Sequence, residues 1–131
     1  MLTKEQFLAD LTANYAELAK FGIFKDKAPY YLPPYEWYNK QIVLWCKELG
    51  ISVLNFTPAT GTNADYTTPD LKNYRSSDTI YQNLMKFEQK EGLSGAFLLI
   101  HLGTDPKRTD KFYLLLEKLI EELRQKGYLK K

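Results

Sequence analysis

One histidine, His101, is the only side chain in this sequence with an ordinary charge change near neutral pH. It can serve as a general acid or base if a carboxylate fixes its ring, and Asp65, Asp105 and Asp110 are the candidate partners. A lone histidine at the end of a strand also has a purely structural reading, and Asp105 and Asp110 have one as caps of a turn and a helix. Glu36 and Asp65, both on loops that follow expected strands, would be the two carboxylates of a glycosidase under a different reading. The aromatic run Tyr30, Tyr31, Tyr35, Trp37 and Tyr38 offers flat faces for a sugar ring, although helical spacing assigns Tyr38 to the core.

Other chemistries lack their residues. The single Cys46 excludes an internal disulfide and a cysteine-rich zinc site, and it falls on an expected helix face as a small apolar residue. No glycine-rich phosphate loop, multi-histidine metal motif or nucleophile elbow is present. The 18 Lys and Arg nearly balance the 16 Asp and Glu, and no basic run alternates with aromatics, so nucleic acid is not an expected partner. No segment reaches the roughly 18 apolar residues of a membrane span, and Met1-Leu2-Thr3-Lys4-Glu5 lacks the regions of a secretion signal.

The elements that must carry these residues follow from periodicity. Thr3 and Gln6 form a capping box ahead of Phe7, Leu8, Leu11, Tyr15 and Leu18, which recur at helical spacing until Gly22. The run 28–34 is too rich in proline for a helix and predicts a short strand that breaks into a loop. From Trp37 the stripe Tyr38, Ile42, Trp45, Cys46 and Leu49 predicts a second helix, capped by Gly50. A strand over 51–56 then leads into a polar loop, 57–76, which is longer than a compact domain normally needs. Ser76, Ser77 or Asp78 caps a helix carrying Ile80, Tyr81, Leu84, Met85 and Phe87. The apolar run 96–100 predicts a parallel strand covered on both faces, which delivers His101 at its end. Thr109 or Asp110 caps a last helix bearing Phe112, Leu115, Leu116, Leu119, Ile120 and Leu123.

The expectation is a single α/β domain over residues 1–131, with about three parallel strands alternating with four helices. Ligands of such folds gather beyond the carboxyl ends of the strands, where Pro34-Tyr35-Glu36-Trp37, the 57–76 loop and His101 all fall.

Read together, these loops resemble the C-terminal half of a polysaccharide deacetylase domain of the NodB-homology, carbohydrate esterase type. Leu32-Pro33-Pro34-Tyr35 resembles the third motif of that family, with Leu32 where the family has arginine. Asn63-Ala64-Asp65-Tyr66 is a loose counterpart of the fourth, and Leu99-Ile100-His101 fits the fifth. The resemblance implies half of a distorted (β/α) barrel. It implies His101 as the acid that protonates the leaving sugar oxygen, Asp65 as the carboxylate that tunes it, and Leu99 as lining for the acetyl methyl group. Tyr35, Trp37 and Pro34 would contact a carbohydrate polymer or oligosaccharide. Removal of N- or O-acetyl groups by a complete family member would need a divalent, zinc-like metal on motifs that this sequence lacks, so the chain is expected to hold no cofactor and to be inactive alone. Complete members are often secreted or associated with the cell envelope. Uncovered strand edges imply a homo-oligomer or pairing with a missing N-terminal half. The alternatives are a noncatalytic carbohydrate-binding or assembly module and the glycosidase.

Overall fold

The computed structural model describes residues 2–128, which fall into two compact units that divide between Asn55 and Phe56. Among the described residues there are four α-helices and two parallel strands, a mixed α/β chain.

In the first unit the capping box forms as its sequence dictates. The Gln6 amide donates to Thr3 Oγ1 and the Thr3 amide to Gln6 Oε1, which opens helix α1, Lys4–Ala19. Its buried face carries Phe7 and Leu11. Strand β1, Tyr30–Tyr31, pairs in parallel with β2, Ser52–Val53, and their flanks are tied by Ser52 N–H to Pro29 O (2.9 Å) and Leu54 N–H to Tyr31 O (2.8 Å). Between the strands lies α2, Lys40–Glu48, capped by Asn39, whose Oδ1 accepts the Ile42 amide. Gly50, at φ 69°, turns the chain out of α2: its amide reaches Lys47 O and the next one, Ile51, reaches Cys46 O. That crossed pair needs a left-handed residue, which glycine supplies without a Cβ clash. Phe7, Leu11, Trp45, Cys46 and Ile51 form the core of this unit, with Tyr31 edge-on to Phe7 at 5.4 Å.

One assignment in this unit needs correction. Tyr38, which helical spacing placed in the core, precedes the Asn39 cap and is exposed. The helix starts three residues later than the periodicity suggests because Asn39 supplies the side-chain acceptor that the first turn requires.

The second unit is built on α3, Ser77–Glu91, and α4, Leu116–Gln125. Of the three candidate caps Ser76, Ser77 and Asp78, it is Ser76 that caps α3, through the Thr79 amide. Ile80, Tyr81 and Leu84 of α3 pack with Leu93, Phe112, Leu119 and Leu123. At roughly 1.5–3 kcal/mol for each fully buried large apolar side chain, this cluster is the main cohesive term of the unit.

Two expectations for this unit also need correction. The apolar run 96–100 is not a strand, and with Phe97 half exposed it is not covered on both faces. The amide of Thr57 donates to Phe97 O at 2.9 Å and the Phe97 amide to Thr57 Oγ1 at 3.0 Å. Hydrophobicity drives partial burial, whereas a strand is defined by the ladder a neighbour offers, and one exchange with Thr57 is not a ladder. The third parallel strand, and with it a three-stranded partial barrel, is therefore not part of the described sheet, which has two strands. Neither Thr109 nor Asp110 caps the last helix. A 3-10 turn, Phe112–Leu115, leads into α4, and the Asp110 carboxylate bonds the Ser77 amide at the start of α3 instead.

Candidate functional site: a histidine clasped by a buried aspartate

Asp65 lies on a short 3-10 turn, Thr62–Tyr66, inside the long polar loop. That loop is packed: Thr60, Thr62, Asp65, Thr67 and Thr68 are all buried. The turn is entered by Gly61 at φ 76°, and Thr67 closes it by donating its amide (3.0 Å) and its hydroxyl (2.6 Å) to Ala64 O. Asp65 is thereby fixed on a short, doubly tied turn.

Its carboxylate, 0% exposed, grips His101 twice. Oδ2 accepts the His101 backbone N–H at 2.7 Å, and Oδ1 lies 2.6 Å from the imidazole Nδ1. A carboxylate has only lone pairs to offer, so Nδ1 must carry the proton and Nε2 is the ring atom left for chemistry. Nε2 has no hydrogen-bond partner among the described residues, and the side chain is 33% exposed. Tyr66 stands edge-on to the imidazole with ring centroids 5.5 Å apart. An oriented, reachable imidazole backed by a buried carboxylate is the arrangement that general acid–base chemistry requires.

Of the three carboxylates that could have partnered His101, Asp65 does so, and the other two are occupied elsewhere. Asp105 Oδ1 accepts the Lys107 amide and caps a turn. Asp110 accepts the Ser77 amide at 2.6 Å and the Tyr74 hydroxyl at 3.0 Å. Burial pushes the Asp110 carboxyl up, but the Ser77 amide, the Tyr74 hydroxyl and the Arg108 guanidinium outweigh it and hold it below its ordinary value. Leu99 is half-buried, two residues before the histidine.

Pro34, Tyr35 and Trp37 belong to the first unit. All three are exposed, Tyr35 by 87% and Trp37 by 83%. Tyr35 and Glu36 are consecutive non-glycine residues in the left-handed region, at φ 56° and 57°. Such conformations cost on the order of 1 kcal/mol each or more, so the turn that presents these aromatics carries strain. Trp37 lines a surface groove with Glu36, Tyr38, Asn39 and Ile42.

Sequence reasoning missed Arg108. Its side chain is wholly buried, and its guanidinium bonds Thr67 O, Arg75 O, Asp110 O and Ser77 Oγ. The only available signal was an arginine between two aspartates in a loop, a pattern that describes a solvated surface equally well.

The metal centre implied by the resemblance calls for an Asp, His, His set. Among the described residues no three His, Cys, Asp or Glu side chains converge on one point. Both Asp65 oxygens and the Nδ1 of the sole histidine are already committed, so the donors present do not fit such a site. No helix among the described residues is long and apolar enough to cross a membrane. No family model, curated protein or solved structure matches the chain.

Proposed function

We propose that this chain is the C-terminal part of a polysaccharide deacetylase-like hydrolase and that it contributes the acid side of the reaction. The observation that carries the reading is the His101–Asp65 pair, in which one carboxylate holds both the ring and the backbone of the same histidine. When an acetyl group leaves a sugar, the sugar nitrogen or oxygen must gain a proton. His101 Nε2 supplies it, while Asp65 keeps Nδ1–H in place and balances the imidazolium charge. In this reading the base and the metal ligands are supplied by residues that this chain does not contain, and the chain alone is inactive.

The test first reads the DNA upstream of Met1 for an in-frame segment carrying an Asp-Asp pair and two further histidines, whose absence together with that of any separate partner would count against the reading. It then measures acetate release from acetylated chito-oligosaccharide and acetylated xylan by the chain joined to that segment. Release by the joined protein and none by the chain alone or by His101→Ala is expected. Release undiminished in His101→Ala, or seen with the isolated chain, would overturn the assignment.

The exposure of Tyr35 and Trp37 on a strained turn favours a second reading, a noncatalytic carbohydrate-binding module. Chito-oligosaccharide binding that is lost in Trp37→Ala, with no acetate released by the joined protein, would select it. The glycosidase reading has lost a participant, because Asp65 is buried and both of its oxygens are engaged.

A further inference from the structure

Arg108 is the largest side chain in the second unit that is completely shut off from solvent, and it is charged. A buried charge is costly unless its donors are met, and here the guanidinium distributes them over separate stretches of backbone. Nε reaches Asp110 O at 3.1 Å, Nη1 reaches Thr67 O at 2.7 Å, and Nη2 reaches Arg75 O at 3.1 Å and Ser77 Oγ at 3.2 Å. The Asp110 carboxylate stands 3.7 Å away and the Tyr74 ring 5.4 Å, so the charge is also balanced. Three of these acceptors are main-chain carbonyls. The guanidinium therefore fixes the course of the loops rather than the rotamer of one neighbour.

Those loops carry the catalytic pair. Thr67, the residue bonded at the shortest distance, is the one that ties off the Asp65 turn by donating twice to Ala64 O. Arg108 itself sits in the loop that leaves His101, and its own amide closes a turn onto Asp105 O at 3.0 Å. One side chain thus joins the segment bearing the carboxylate to the segment that follows the imidazole.

We infer that Arg108 is a positioning residue: acting through Thr67, it sets the height and angle at which the Asp65 carboxylate meets His101. The inference rests on the pair itself being the functional acid. A lysine cannot replace it, because a single ammonium cannot reach all of these carbonyls at once.

The experiment uses the single imidazole as its own reporter. The Nδ1–H proton of His101 is followed by nuclear magnetic resonance in the full chain, and its exchange with solvent is timed. In Arg108→Lys the exchange is expected to be roughly tenfold faster, the effect of losing one charge-assisted hydrogen bond on local opening, while the fold is retained by circular dichroism. Thr67→Val, which keeps the shape and removes the hydroxyl tie to Ala64 together with the 3.5 Å contact of Arg108 Nη1 to that hydroxyl, is expected to move exchange the same way. Thr67→Ser is expected to restore it. Asp65→Asn separates this inference from the reading beneath it. If Asp65→Asn leaves the Nδ1–H signal intact, the pair is wrong. If Asp65→Asn abolishes the signal while a folded Arg108→Lys leaves its exchange unchanged, the pair stands and the positioning role is overturned. Should Arg108→Lys fail to fold, unchanged exchange in Thr67→Val overturns the role equally.

Discussion

Replacing Asp65 by asparagine changes one atom of the pair and leaves its shape alone. The carboxylate presents two acceptors, Oδ2 to the His101 amide and Oδ1 to Nδ1, at 2.7 and 2.6 Å. Asparagine has one acceptor and one donor. The backbone N–H can only donate, so the amide oxygen must turn toward it and the NH2 group must face Nδ1. His101 is then forced to give up its Nδ1 proton and carry it on Nε2. The imidazolium, which needs both protons, meets donor against donor and is lost as a general acid. Two charge-assisted bonds at a fully buried group become neutral ones, a loss of about 2 kcal/mol at roughly 1 kcal/mol each. For a unit of this size that lowers Tm by on the order of 10 °C. Because the chain has a single histidine, one long-range nitrogen–proton correlation spectrum of the imidazole reads the tautomer without ambiguity. The expected result is an Nδ1–H tautomer in the wild type and an Nε2–H tautomer in the variant. In the joined enzyme, acetate release should fall by roughly 10²–10⁴-fold, the span that general acid catalysis supplies. A folded variant that retains the Nδ1–H tautomer, or an unchanged Tm, would refute the reasoning.

Further outcomes follow from other contacts. The Asp110 carboxyl is depressed in the folded state, so its contribution is present above the ordinary aspartate range and disappears as pH falls through the depressed value. Asp110→Asn should therefore melt below the wild type near neutral pH and converge on it in acid, and parallel melting curves at every pH would contradict this. Burial, then the Glu122 carboxylate, pushes the Tyr81 hydroxyl up to about 12 from 10.0. Its share of stability holds below the ordinary tyrosine value and is lost as pH rises through the folded one. Burial also raises Tyr15, Tyr31 and Tyr74, so ultraviolet titration should find several late phenols, and Tyr81→Phe should remove the last of them together with the associated alkaline loss of stability. Leu84 is wholly buried between the helices, and Leu84→Ala should cost about 2–5 kcal/mol in urea unfolding. A cost under about 1 kcal/mol would mean that the packed core of the second unit lies elsewhere.

Two helix ends were legible because each is made within a few residues: Thr3 with Gln6 and the turn at Gly50 are local contests that the sequence alone decides. The cap of α3 was narrowed only to three neighbouring residues, and the expected cap of the last helix was wrong, Asp110 being taken up by a contact 33 residues away. The apolar stripes of α1 and α3 are legible for the same reason, since a helix repeats its face every few residues. Tyr38 was misread where two local signals competed and the Asn39 cap prevailed over the stripe. The run 96–100 was misread because pairing is not local: its apolar character is written in the sequence, but the absence of a ladder is a property of its neighbours. In the candidate site the sequence by itself determined that His101 would follow an apolar run and that three aspartates could reach it. Only the tertiary structure chose among them, since three carboxylates are chemically alike until folding buries one within 2.6 Å of Nδ1 from 36 positions away. Arg108 belongs wholly to that second category: nothing in its neighbours announces a buried cation, and its role exists only once the backbone of two distant residues, Thr67 and Arg75, has closed around it together with that of nearby Asp110.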